Sequence, residues 1–139
     1  DLHSFPTRRS SDLEITNTPY TEGGITATLV AGQGGEATWQ IDEYYYGSIL
    51  LQSGNTNSSL TFACSPSSSV KIKKIVVLCM GANSGNGWPE GWNTEEGSYP
   101  NPTKLMWNGT PTKTVTLSTT NIGFVSIYGI TKIEFYLEE

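Results

Sequence analysis

Beyond its first thirteen residues the chain has no histidine and no arginine: the single His is His3, and the only Arg are Arg8 and Arg9. Residues 14–139 therefore hold no Ser-His-Asp or Cys-His nucleophile system and no zinc site built on imidazole. The two cysteines, Cys64 and Cys79, are too few to close a zinc site on their own. No apolar run approaches the roughly 20 residues of a membrane-spanning helix, so membrane insertion is not expected. No stretch carries an apolar repeat at helical period, which also removes a Gly-rich phosphate loop leading into a helix. Charge is sparse at 15% of residues, and the balance is −5. Residues 14–139, acidic and without Arg, are a poor partner for nucleic acid. No catalytic residue, metal or cofactor is assigned.

The first thirteen residues, DLHSFPTRRSSDL, fit nothing that follows. From Asp1 to Leu13 they resemble the translation of a common sequencing-library adapter. Processing scars of this kind are left out of fold reasoning, so this leader is expected to make no core contacts. On this reading the natural N-terminus is missing, and the absence of a signal peptide says nothing about secretion. Residues 14–139 then form a single domain, N-terminally truncated, large enough to bury a core. Its charge comes from six Lys and eleven carboxylates, because the two Arg and two Asp of the leader cancel.

What is present is β-branched and short in period. Val70–Met80, VKIKKIVVLCM, is the longest apolar run and reads as a strand buried on both faces. Its Ile72-Lys73-Lys74-Ile75 signature returns as Ile130-Thr131-Lys132-Ile133. In each copy the two Ile are three apart, an odd step that puts them on opposite faces of a regular strand. A bulge at Lys73-Lys74 and another at Thr131-Lys132 would return both to the core. Ile72, Ile75, Val77, Ile133 and Phe135 are expected to be buried together, with Trp39, Phe62, Leu117 and Phe124 around them. If SPSSSV is a hairpin turn, Cys64 lies opposite about residue 71, far from Cys79. A disulfide needs Cα atoms within roughly 7 Å, so two reduced, buried thiols are expected.

The remaining chain alternates at period two. Ile25, Ala27 and Leu29 share one face with Thr26 and Thr28 on the other, and Ala37, Trp39 and Ile41 follow suit. Ile49 and Leu51, then Leu60, Phe62 and Cys64, point inward. Thr103–Trp107 reads as a strand closed by an NGTP turn, with strands again at 113–118 and 122–127. In 131–137, Ile133, Phe135 and Leu137 face in while Glu134 and Tyr136 face water. About nine short strands with no helix predict an all-β fold, an antiparallel β-sandwich of jelly-roll type.

One stretch breaks the pattern: Gly81–Pro102, GANSGNGWPEGWNTEEGSYPNP. An aperiodic segment of this length is usually functional or disordered, and its aromatic rings argue against disorder. Trp88, Trp92 and Tyr99 could stack on sugar rings, with Glu90 as a hydroxyl partner. The same rings could instead fold down and pin the segment onto the sheets. Asp42, Glu43, Glu90, Glu95 and Glu96 lie in connections, but no spacing selects a glycosidase pair. No Asn and carboxylate spacing matches a calcium loop.

GGITATLVAG, SGNTNSSLTFAC, KIKKIVVLC and the closing ITKIEFYLEE together resemble β-sandwich modules of secreted or lipid-anchored surface proteins of gut bacteria. The resemblance implies an extracellular or cell-surface location, an accessory or adhesin-like role, and neighbouring domains in a larger chain. It implies no site residues. The function expected is a non-catalytic binding or adhesion module, with a glycan as candidate partner through the aromatic-rich segment. The alternative is a structural spacer without a ligand of its own.

Overall fold

A computed structural model describes residues 2–6, 20–40, 48–83, 89–98, 100–120 and 125–139, with residues 2–6, 20, 22, 40 and 83 described by backbone alone. Every regular element among them is a strand. There are thirteen: β1 Leu2–Pro6, β2 Tyr20–Glu22, β3 Ile25–Val30, β4 Glu36–Gln40, β5 Ser48–Gln52, β6 Ser59–Cys64, β7 Lys71–Cys79, β8 Gly81–Asn83, β9 Asn93–Glu95, β10 Thr103–Thr112, β11 Thr114–Ser118, β12 Ser126–Ile130 and β13 Lys132–Glu138. The expected all-β class stands, with more strands than the nine or so expected. Most of the surplus consists of three-residue strands, too short to show an alternation.

The strands form three antiparallel sheets, ordered β1-β13-β7-β10-β9, β11-β6-β3-β2 and β4-β5-β12-β8. The apolar run of β7 lies at the centre of the first, between β13 and β10. Ile75, Val76 and Val77 are buried in succession, whereas Lys71 and Lys73 at its entry are exposed. Burial on both faces thus holds for the middle of the strand and not for its start. One contiguous core draws on all three sheets, joining Ile72, Ile75, Phe135 and Leu105 to Phe62, Ile25 and Leu117 and to Trp39, Leu51 and Ile127. Phe62 of β6 meets Phe135 of β13 edge to face, at 5.1 Å between centroids and 74° between planes. Phe124 and Ile41 lie outside the described residues.

The repeated Ile-x-Lys-Ile step is resolved in two ways. In β7, Tyr136 faces Lys74 and Leu137 faces Ile72, so Lys73 is the extra residue of a bulge and both Ile reach the core. At the second copy no bulge forms. Ile130 ends β12 in one sheet, Ile133 lies in β13 of another, and Thr131 between them donates its N–H to the carbonyl of Leu78 at 3.0 Å. The chain changes sheets at the odd step, and both Ile are again buried.

Three further expectations are corrected. SPSSSV is not a hairpin turn, because β6 and β7 belong to different sheets and residues 65–70 carry the chain across. Cys64 and Cys79 are indeed free and buried, and they lie in separate sheets, not on two arms of one hairpin. The NGTP segment does not turn; it lies inside β10, which passes from Asn108 opposite Lys74 to Thr112 opposite Ile72 through a bulge. Gly81–Pro102 is not wholly aperiodic, since β8 pairs with β12 and β9 with β10. The backbone of Leu2–Pro6 adds an edge strand to the first sheet: β1 pairs with β13 from Leu2 opposite Tyr136 to Pro6 opposite Lys132. An edge strand offers a row of unpaired N–H and C=O groups that any extended segment can meet with little demand on its side chains.

Phe135 is fully buried and touches the opposing Phe62 ring. Phe135→Ala is expected to cost about 3–5 kcal/mol in urea unfolding. A cost below about 1 kcal/mol would place β13 at the periphery of the core.

Candidate functional site

The sequence proposes Trp88, Glu90, Trp92 and Tyr99 as one ligand-binding group. Trp88 and Tyr99 lie outside the described residues. Glu90 is exposed, in the turn that leads to Trp92. Trp92 is a different case. It is 6% exposed and belongs to the core. Gly91 before it takes φ of 83°, a left-handed conformation open to glycine, and the N–H of Trp92 bonds the carbonyl of Pro89 at 3.1 Å. This tight turn reverses the chain and drives the indole inward just ahead of β9.

The Trp92 indole Nε1–H donates to the carbonyl of Thr116 in β11 at 3.0 Å. Because β9 is the edge of the first sheet and β11 the edge of the second, one side chain ties two edges together. It also satisfies a carbonyl on an edge strand that, among the described residues, has no neighbouring strand on that side. Trp92 therefore cannot offer its ring to a sugar, and the expectation that it is a ligand platform is corrected. Of the two outcomes the sequence allows, this residue takes the folded-down one. An indole carries a large apolar body and one donor, and here both are already used.

The segment is held at its far end too. Gly97 N–H bonds the Thr103 hydroxyl at 3.1 Å, and Asn101 N–H bonds the Ser98 carbonyl at 2.7 Å. A Cβ on Gly97 would overlap the backbone of Asn101 and Pro102. Glu90 thus stands beside a buried anchor, without a described aromatic face next to it.

A second surface emerges that the sequence reading passed over. The inward residues of β3, β6 and β11 are apolar and buried, so alternation sends Thr26, Thr28, Thr61, Thr114 and Thr116 to the opposite face. The strand register lines them up: Thr116, Thr61 and Thr28 form one row, and Thr114, Ala63, Thr26 and Thr21 the next. Thr61 and Thr116 share a hydroxyl–hydroxyl hydrogen bond of 3.0 Å, and Thr21 and Thr26 one of 2.9 Å. Ser118, Ser59 and Val30 make a third row. No residue in these rows is charged. Cross-strand neighbours stand about 4.8 Å apart and residues i and i+2 about 6.7 Å, which gives a regular hydroxyl grid. The signal was present in Thr26-Ala27-Thr28 and Thr114-Val115-Thr116, but period-two threonine also marks any solvated sheet face. Only the register shows that these pairs are laterally aligned.

Burial disfavours the thiolate at both cysteines. Burial pushes the Cys79 thiol up to about 12, an effect only partly offset by its hydrogen bond with the Gly81 backbone. Burial also raises Cys64, against the opposing pull of the Lys113 ammonium. A thiolate is needed for nucleophilic attack, so both act as small apolar groups. Among the described residues no group of three or more His, Cys, Asp and Glu is placed to hold a metal ion, and no helix is long and apolar enough to cross a membrane. Compared with protein families, curated proteins and solved structures, the chain matches none.

Two measurements follow from this geometry. Trp92→Ala is expected to cost about 3–5 kcal/mol, as loss of a buried aromatic does; a cost under about 1 kcal/mol would put the indole outside the core. The Cys79 thiol ionises at about 12 in the fold against an ordinary 9.0. Between those values the unfolded chain has lost a proton that the fold keeps, so stability falls as pH rises. Stability is expected to decline above pH 9 with a shallower slope in Cys79→Ala; equal slopes would show that the thiol is solvated.

Proposed function

We propose that this chain is a non-catalytic extracellular or cell-surface binding module, its antiparallel sheets stacked as a jelly-roll-like sandwich, with neutral carbohydrate polymer as its ligand. The observation that carries this reading is the uncharged hydroxyl grid on β11-β6-β3-β2. A face without formal charge suits a ligand without charge, since neither side must bury an unpaired ion. Each hydroxyl contact contributes only about 0.5–1.5 kcal/mol, and a flat face cannot enclose a small sugar. An extended chain that meets several rows at once satisfies both limits. The aromatic-rich segment, through Trp88, Glu90 and Tyr99, is the second candidate surface of the same module.

The spacer reading retains one specific support, the burial of Trp92, which turns part of the presumed binding segment into a tie between sheet edges. A glycan-array screen of the full chain separates these readings. Retention of neutral glycans is expected, abolished by Thr61→Lys and Thr116→Lys with little change in melting temperature. Retention that survives both lysines and falls with Trp88→Ala would move the ligand to the segment. No retention of any glycan would favour the spacer, and glycoside hydrolysis would make the chain an enzyme.

A further inference from the structure

Asn108 and Gly109 form an Asn-Gly pair on β10, and both are exposed. They stand where β10 leaves its regular pairing with β7. Asn108 is opposite Lys74, the next paired residue is Thr112 opposite Ile72, and Gly109, Thr110 and Pro111 share the space across from the single residue Lys73. Three residues against one is a wide irregularity, and those three have no ladder partner of their own. We propose that Asn108 is a site of spontaneous covalent modification, converting to aspartate and isoaspartate with water as the co-reactant.

The step balances without any other reagent. The backbone nitrogen of Gly109 loses its proton and attacks Cγ of the Asn108 side chain. The Cγ–Nδ2 bond breaks and the amide nitrogen leaves as ammonia, carrying the proton and closing a five-membered succinimide. Water then opens the ring. Addition at Cγ restores the ordinary backbone with Asp at 108; addition at the main-chain carbonyl carbon leaves isoaspartate, with the chain routed through the former side chain. No electron is transferred.

Three conditions favour this reaction, and the site meets each. The side-chain amide is exposed to water. The attacking nitrogen belongs to glycine, which has no Cβ to hinder the approach and the widest choice of backbone angles. Asn108 is the last residue paired before the bulge, and Gly109 behind it is unpaired, so the rotation that brings its nitrogen to Cγ disturbs at most the terminal pair with Lys74. The fold also opposes the obvious remedy. A Cβ at 109 would stand 2.9 Å from Cζ2 of Trp107, whose indole packs against the core, so a bulkier residue that would slow the attack is resisted by packing.

The product is not silent. A carboxylate at 108 would enter the row of Lys74, whose ammonium stands 5.0 Å from the ring centroid of Tyr136. Isoaspartate would add a methylene to the backbone of a strand that pairs with the central β7. The inference is independent of the carbohydrate reading.

The test is to incubate the full chain, folded, at mildly alkaline pH and map its peptides over time, with isoaspartyl methyltransferase labelling as a second readout. The Asn108 peptide is expected to lose ammonia and gain water, to become a methyl acceptor, and to do so faster as pH rises. Asn108→Gln should remove that signal. The chain has a second such pair, Asn86-Gly87, and labelling that persists undiminished in Asn108→Gln would overturn the assignment. So would an Asn108 peptide that stays intact in the folded chain while it converts in urea, because the fold would then protect the site.

Discussion

The edge-to-face contact between Phe62 and Phe135 is where two sheets meet, and the rest of the arrangement depends on both rings reaching it. Phe62 carries β6, and with it β3 and β11; Phe135 carries β13, and with it β7. Both side chains are fully buried, and an aromatic pair of this geometry adds about 0.5–1.5 kcal/mol beyond its buried area. Area matters more than the pair term. Each ring is flanked along its own strand by inward apolar residues, Leu60 and Cys64 beside one, Ile133 and Leu137 beside the other. A one-residue slip in either strand would send the whole set to water, so the contact fixes the register of both sheets.

That demand explains the treatment of the repeated Ile-x-Lys-Ile step. The alternation of β13 is legible in the sequence because one-sided burial imposes a period of two, and the apolar run of β7 because burial on both faces removes that alternation. The odd step is legible as a problem, and a bulge is its local solution. In β7 the strand must continue between β13 and β10, so the extra residue is expelled at Lys73. At Thr131 the chain is free to leave its sheet, and it does. Nothing in the two segments distinguishes these outcomes, since the difference lies in the neighbours each strand has. The same holds for residues 65–70, where a short polar stretch can close a hairpin or carry the chain across the core. Period identifies strands; partners are set by long-range contacts that a local reading does not contain.

The candidate site shows the same division. Trp92 in an aperiodic segment looks like a displayed ring, because no apolar alternation surrounds it. Its burial comes from one left-handed glycine at 91 and from a carbonyl of Thr116, twenty-four positions on, that needs a donor. The threonines of β3 and β11 were legible individually as solvent-facing, and what was hidden was their alignment. Thr116, Thr61 and Thr28 are far apart in the chain and become one row only through the order β11-β6-β3.

The outward faces of the first two sheets differ in kind. On the first sheet the outward rows mix charges, with Lys132 beside Glu134 at 3.9 Å and Lys74 over Tyr136, and the register sets Lys104 opposite Glu95. On the second the rows hold hydroxyl and methyl groups alone. Removing water from an ionic face costs heavily unless each charge is met by its opposite. On the hydroxyl face, Thr61 with Thr116 and Thr21 with Thr26 already share hydrogen bonds, so each pair gives up less to water than two separate hydroxyls would. Every hydroxyl keeps a lone pair for a new donor. The neutral face is thus the cheaper of the two to dehydrate while still able to accept hydrogen bonds, and that combination is what a neutral, hydroxyl-rich polymer requires of the surface it lies on.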